Sequence, residues 1–130
     1  MRINFDSMKP VYVQVAEAIE DDILLGKLKD GDPAYSQLIL SRELNINPAT
    51  VAKGINLLVQ KGILVKQRGL SMTVAPGAKE HLMSEKIETG FAETVTALVE
   101  QSIKIGLPKE QVLKRIHDAF ADYERRDMLE

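Results

Sequence analysis

A short helix with an explicit start at Asn47 is the clearest structural signal in this sequence. Asn47 is a good N-cap, because its side-chain oxygen can accept a hydrogen bond from a free backbone N–H of the first turn. Pro48 falls at the first helical position, where the missing N–H costs nothing. Val51, Ile55 and Leu58 then recur at helical spacing. The pattern predicts a capped helix that buries one face.

The opposite face of this helix is small at its start and polar beyond it, with Ala49, Lys53 and Asn56 in turn. A small start allows the helix to approach another surface closely. N-terminal N–H groups, the Thr50 hydroxyl and a lysine suit phosphate, while an asparagine suits a base edge. The face therefore fits DNA, although the same pattern alone is also typical of a capped surface helix.

The segments on either side favour the DNA interpretation. Ser36 is the N-cap candidate of a preceding helix over about 36–44, and a tight turn separates that helix from Asn47. Two short helices in this order, the second with a polar outer face, form a helix-turn-helix. Residues 63–68 and 72–74 have strand character and enclose a Gly-containing connection, which predicts a hairpin. A helix-turn-helix followed by a basic hairpin is a winged helix.

Two further patterns assign side chains to buried or exposed faces. Alternation along the hairpin predicts that Val65 faces inward, with Lys66 and Arg68 outward near the tip. The first helix of the chain has an apolar stripe that includes Tyr12, whereas its carboxylates, Glu20 among them, are expected on the solvated face.

Two amphipathic helices are expected after a Pro-Gly boundary, over about 79–105 and from Pro108 onward, with a charged end that frays. Their apolar stripes are larger than two helices can bury alone, which predicts a homodimer. The residues expected at the dimer centre are Phe91, Val95, Leu98 and Phe120. The predicted fold class is mostly α with a small β-hairpin. An N-terminal winged helix-turn-helix domain at 1–76 precedes a two-helix dimerisation region at 77–130.

Charge is unevenly distributed along the chain. The net charge is −2, but residues 34–74 carry five basic residues against one acidic residue, a local +4. A modest basic footprint thus coincides with the predicted winged helix. The chain has no cysteine, no signal peptide and no apolar run that could span a membrane. These features predict a cytoplasmic protein without a membrane partner.

Catalytic chemistry finds little support in the sequence. His81 and His117 are isolated, and the chain has neither a Gly-rich phosphate loop nor a His-x-x-x-His spacing. We therefore expect no enzyme, no metal site and no cofactor.

Five short patterns, at residues 10–15, 23–32, 46–51, 57–64 and 105–112, occur together and in order. They resemble, respectively, five motifs of the GntR family of bacterial transcription regulators, and of its short YtrA-type members in particular. These are the Pro-Leu-Tyr-x-Gln-Ile opening, the Gly-x-Leu-x-x-Gly-Asp loop, the start of the recognition helix, the junction into the wing, and the joint between two C-terminal helices. The resemblance covers residues 10–75 and, more loosely, 76–126.

The chain departs from the family pattern at positions that bear on DNA binding. Tyr35 stands where the family has a proline, and Leu38 stands where it has an arginine that contacts DNA. Ala52 occupies a position that is usually basic, although Lys53 follows it, and the wing lacks the second glycine after Gly69. The helix pattern predicts that Leu38 is exposed on the DNA side.

The resemblance implies a sequence-specific repressor that binds a palindromic operator in double-stranded DNA as a homodimer, with room for a small-molecule effector. The residues assigned to DNA binding are Ser36, Ala49, Thr50, Lys53, Asn56, Lys66, Arg68 and Gly69. For Ser36 and Asn47 capping alone is an alternative, and for Lys66 and Arg68 a solvated strand face. The alternative function is a winged-helix protein-interaction module, which the net acidity, Leu38 and Leu70 would fit.

Overall fold

The computed structural model of the protein describes residues 2–67 and 72–129. Six α-helices, one π-helical segment and two strands occur in these ranges. In chain order they are α1 (Val11–Leu24), α2 (Gln37–Leu44), α3 (Pro48–Gln60), β1 (Leu64–Lys66), β2 (Met72–Val74), α4 (Ala78–Lys86), the π-helical segment (Ile87–Phe91), α5 (Ala92–Ile105) and α6 (Lys109–Leu129). The predicted fold class, a mostly helical chain with one small hairpin in a winged helix, is confirmed.

The turn between α2 and α3 is built from asparagines. Asn45 ends α2 in the left-handed conformation, at φ 53°, which asparagine tolerates better than most residues. Asn47 caps α3, because its Oδ1 accepts a hydrogen bond from the Ala49 N–H at 2.8 Å. The predicted N-cap and the proline after it are therefore confirmed. Together they fix where α3 begins.

The core of the winged helix forms where α1 crosses α3. Gly54 permits this close approach, since a Cβ at that position would lie 2.7 Å from the Tyr12 carbonyl oxygen and 3.1 Å from Val15. Both strands and α4 contribute further apolar side chains. The largest fully buried residues are Val15, Ile19, Ile23, Val51, Leu58, Ile63, Leu64, Val74 and Leu82.

The hairpin forms additional backbone hydrogen bonds with a segment outside its two strands. β1 and β2 are antiparallel, with Leu64 opposite Val74. Residues 31–34 add a third edge on β2, because the Gly31 N–H donates to Val74 O at 2.8 Å and the Val74 N–H donates to Asp32 O at 2.9 Å. Two hydrogen-bonded strands alone are marginal in water, so this edge and the helices beneath stabilise the wing.

The predicted orientation of Val65 is wrong. Leu64 is 1% exposed, whereas Val65 is 39% exposed. Successive strand residues face opposite sides, so burying Leu64 against the helices turns Val65 outward.

The predicted solvated position of Glu20 is also wrong. Glu20 is buried, and its carboxylate lies 3.0 Å from the Lys61 ammonium at the C-cap of α3. Lys61 also contacts Glu85 of α4 at 3.0 Å. The buried charge is tolerated because it is paired, and the pair ties α1 to the end of α3.

The chain divides into two compact units, residues 1–86 and residues 87–130. The single helix expected over 79–105 is instead interrupted by the π-helical segment, which contains Gly90. The final helix extends to Leu129, and the fraying of its charged end stays a prediction. Within the described ranges, no helix combines the length and apolar character that crossing a bilayer requires.

Candidate nucleic-acid interface

The polar face of α3 is fully formed and open to solvent. Ala49, Lys53 and Asn56 are exposed and Thr50 is half-buried, while the opposite face of the helix is buried in the core. The structure therefore brings these four predicted DNA-binding residues onto one helix. Small side chains at the start of the face leave its first turn accessible, as a helix that enters a groove requires.

Lys53 is held by an aromatic ring from another helix. Its Nζ lies 4.2 Å from the centroid of the Tyr12 ring in the first turn of α1, which is cation–π geometry. No described carboxylate lies within 4 Å of this ammonium, so its charge is uncompensated in the part of the chain that the structure describes. The two residues border a depression of about 490 Å³. The other residues lining it are Ala49, Ala52, Asn56, Leu57 and Gln60.

Tyr12 is a residue that sequence reasoning misplaced. Helical spacing assigned it to the inward stripe of α1, but it is only half-buried and its ring faces Lys53. No periodicity within one helix can reveal a contact with a second helix. The available signal was its place in the opening motif of the chain.

The first turn of α2 presents polar and apolar groups together. The side chain of Ser36 makes no capping hydrogen bond, so the alternative that it acts only as a side-chain cap is wrong. Gln37 Nε2 donates to the Pro48 carbonyl at 2.9 Å and joins the starts of α2 and α3. Leu38 is 60% exposed, as predicted, and Arg42 one turn later is also exposed. Arg42 was not among the predicted DNA-binding residues, although its spacing from Leu38 could have included it.

Among its described residues, the hairpin of the wing carries one basic side chain, that of Lys66. Lys66 lies at the end of β1 with its side chain exposed. The predicted contacts Arg68 and Gly69 lie outside the described residues.

The basic footprint is smaller than the sequence count of +4 implies. Lys61 belongs to that count but is neutralised by Glu20 and Glu85. Burial lowers the pKa of Lys61, but hydrogen bonds to the two carboxylates outweigh that effect and leave the pKa above its ordinary value. Lys61 therefore stabilises the fold, and the exposed cations among the described residues of 34–74 are Arg42, Lys53 and Lys66.

Tyr35, in the place of the family proline, is tied to α1. Its hydroxyl donates to Asp22 Oδ2 at 2.5 Å. The hydrogen bond to this carboxylate, with smaller effects of burial and of nearby charge, raises the pKa of Tyr35 to about 12. The substitution therefore exchanges a rigid proline for a hydrogen bond between the chain before α2 and α1.

In the second unit the predicted dimer residues are exposed. Phe91 is 61%, Val95 43%, Leu98 38% and Phe120 66% exposed.

The two histidines lie near carboxylates, His81 3.9 Å from Glu85 and His117 3.7 Å from Asp118. Across residues 2–67 and 72–129, no group of three or more acidic or histidine side chains could hold a metal ion.

Known proteins resemble this chain over most of its length. The HTH-type transcriptional repressor YtrA of Bacillus subtilis is 28% identical over 122 residues, which cover 94% of this chain and 93% of the repressor. A crystal structure of a GntR-family regulator from Bacteroides thetaiotaomicron is 26% identical, covers 90% of this chain and 98% of its own, and superposes with a TM-score of 0.67.

Two further solved structures bear on the family of this chain and on DNA binding by related domains. YtrA from Sulfolobus acidocaldarius, a GntR-family transcription factor, is 32% identical over 70% of this chain and 96% of its own, with a TM-score of 0.56. The DNA-binding domain of AraR, solved in complex with an operator, is 27% identical over 58% of this chain and 99% of its own, with a TM-score of 0.52.

No family model matches the sequence. The whole-length relatives and the solved structures nevertheless agree with one another, and all are transcriptional regulators, a non-enzymatic class. The chain belongs to the GntR family of helix-turn-helix transcriptional regulators and is of the YtrA type.

Proposed function

We propose that this protein is a sequence-specific repressor that binds a palindromic operator as a homodimer in the cytoplasm. The observation that carries the proposal is the exposed face of α3, where small residues lead to an exposed lysine and an asparagine. Residues 1–76 would read DNA and residues 77–130 would carry dimerisation. The complex of the AraR domain with its operator supports DNA as the partner of this fold.

Each proposed contact has a chemical role. Ser36, Thr50 and Lys66 position the protein on phosphates, which fix register without reading sequence. Lys53 is close to phosphate as well, whereas Ala49 and Asn56 meet base edges, the latter through an amide that suits adenine. Arg68 and Gly69 remain proposed contacts of the wing.

The dimer proposal rests on the apolar side chains of the second unit. Phe91, Val95, Leu98 and Phe120 are large and more than a third exposed, which an isolated helix pair in water does not favour. A two-fold dimer through them would place two copies of α3 on half-sites about one helical turn of DNA apart. An effector pocket, if the dimer has one, would lie between helices of the two subunits. A stable monomer at micromolar concentration in sedimentation would contradict the dimer.

Selection of bound duplexes from a random pool at two salt concentrations tests DNA binding directly. Lys53→Ala should weaken all duplexes alike and lower the salt slope by about one, because one phosphate contact is lost. Asn56→Ala should instead relax the preference at one base position. Unchanged affinity and selectivity in both variants would show that α3 is not the reading helix.

Leu38 offers a gain-of-function test. Because Leu38 is 60% exposed, Leu38→Arg should fold and should tighten binding to a guanine-containing site by about 1–3 kcal/mol where bidentate geometry is recovered. A cation near the N-terminus of α2 should cost about 0.3–1 kcal/mol of stability. A strongly destabilised variant with unchanged DNA affinity would show that Leu38 does not face DNA.

A protein-interaction module is the second candidate, and the exposure of Leu38 and Ile39 favours it. The two functions differ in salt dependence, because phosphate contacts release counterions whereas an apolar contact does not. Failure to select any duplex at low salt, or binding that is insensitive to salt, would favour a protein partner.

A further inference from the structure

The contact between Tyr12 and Lys53 lies outside the buried core. Lys53 is exposed on α3, and the Tyr12 ring lies on a different helix with its centroid 4.2 Å from the ammonium. The neighbouring Gly54 allows the backbones of the two helices to approach closely, and the ring and the ammonium meet beside that approach. A long, flexible lysine is thereby restricted at a place set by the core.

The chemistry of this contact differs from that of the other tethered lysine. Lys61 is held by two carboxylates at 3.0 Å, which neutralise it. Lys53 is held by a neutral ring, which attracts a cation through its quadrupole but leaves the net charge unchanged. The first arrangement stabilises a fold, and the second keeps a fixed positive charge available for an anion.

The surroundings of Lys53 leave space for such an anion. The depression of about 490 Å³ beside it is open because Ala49 and Ala52 are small. A lysine ammonium is a compact point charge that suits a phosphate, and phosphate contacts set the register of a protein on DNA. The conformational entropy lost when a flexible lysine is ordered on binding is smaller when the side chain is already restricted.

We infer that Tyr12 is a positioning residue for DNA binding, whose ring holds the Lys53 ammonium where it meets a backbone phosphate. This inference rests on the proposed function of α3 as the reading helix. Tyr12 acts through Lys53, so its effect exists only while the lysine is present.

A double-mutant cycle on the full-length protein tests the inference. With the selected duplex, Tyr12→Leu should weaken binding about two- to fivefold, the equivalent of about 0.5–1 kcal/mol for an exposed cation–π contact. Tyr12→Phe keeps the ring and should bind like the wild type. In a Lys53→Gln background, Tyr12→Leu should have no further effect. Equal losses in both backgrounds, or a loss in Tyr12→Phe as large as in Tyr12→Leu, would overturn the inference.

A measurement on the free protein separates this inference from the proposed function. The ring current of Tyr12 should shift the Lys53 side-chain proton resonances upfield in the wild type and in Tyr12→Phe, but not in Tyr12→Leu. Absence of the shift in the wild type would overturn the positioning role even if DNA binds. Presence of the shift in a protein that binds no duplex would refute the proposed function and, with it, the role of Tyr12 on DNA. Thermal melting of each variant checks that it is folded.

Discussion

The two compact units of the chain use apolar residues in opposite ways. In residues 1–86 aliphatic side chains from α1, α3 and both strands form a buried core, and even the carboxylate of Glu20 is enclosed and paired. In residues 87–130 most of the large apolar side chains are exposed, and Ser102 is the buried polar residue described there. Its hydroxyl donates to the Leu98 carbonyl at 2.7 Å within α5.

This difference indicates which unit can be stable without a partner. A core of interdigitated side chains is stable without a partner, because the area removed from water is internal to the unit. A stripe of exposed aromatic and aliphatic residues gains that stabilisation only when another surface covers it. We therefore expect the stability of the first unit to be independent of protein concentration and that of the second to depend on it.

Matched leucine truncations in the two units should give the largest difference in stability. Leu58 is fully buried, so Leu58→Ala should lower the free energy of unfolding by about 2–5 kcal/mol at every protein concentration. Leu98→Ala, at an exposed site, should change stability only at concentrations at which the dimer forms. Denaturation at several protein concentrations, with sedimentation alongside, measures both. An effect of Leu98→Ala that is independent of concentration would contradict the contrast.

Matched glycine substitutions should have the next largest effect. Gly54→Ala should destabilise the protein by about 1–3 kcal/mol, because the added methyl would meet the Tyr12 carbonyl oxygen at 2.7 Å. Gly90→Ala is the control, since its Cβ would have no neighbour within 4 Å. It should be neutral or should stabilise the helix by up to about 1 kcal/mol. Equal melting temperatures for the two variants would refute the close packing of α1 on α3.

Removal of the charge pair between Glu20 and Lys61 should have the third largest effect on stability. Lys61→Met leaves the Glu20 carboxylate enclosed without its cation, and we expect a loss of about 1–2 kcal/mol, below the cost for a fully buried pair because Lys61 is partly exposed. The raised pKa of Lys61 means that its contribution is complete below its ordinary pKa of 10.5 and is lost as pH rises through the higher folded value. Lys79→Met, at an exposed site on α4, should be silent. A variant as stable as the wild type at pH 7 would show that the pair contributes nothing.

The smallest expected effect concerns Tyr35. Tyr35→Phe removes the hydrogen bond to Asp22 and should cost about 1 kcal/mol at neutral pH. Because the pKa of Tyr35 is raised from 10.0 to about 12, this stabilisation is complete below pH 10 and disappears as pH rises toward 12. The wild type and the variant should therefore converge at alkaline pH. Tyr123→Phe, at an exposed site, is the control, and a stability difference that persists at pH 12 would contradict the assignment.

The sequence predicted most of the fold because its signals are local. The Asn47 cap, the proline after it and the apolar stripe of α3 are each specified within one turn of helix or along one face. The misassignments of Glu20, Val65 and Tyr12 all depend on contacts with other elements: Glu20 meets Lys61, Leu64 is buried in place of Val65, and Tyr12 meets Lys53. Helical and strand periods indicate which residues share a face. Whether a residue at the border of that face is buried depends on the other elements that pack against it.

The edge that residues 31–34 add to β2 also bears on how the protein is made. This segment is synthesised before its partner Met72–Val74, so the backbone groups that bond to β2 lack those partners while α2 and α3 are synthesised. Helices form from local contacts, whereas the sheet must wait for a distant strand. Ala78 and Leu82 complete the core later still. A pause in translation between α3 and β2 would therefore hold a nascent chain in which residues 31–34 lack the strand that they pair with in the folded protein.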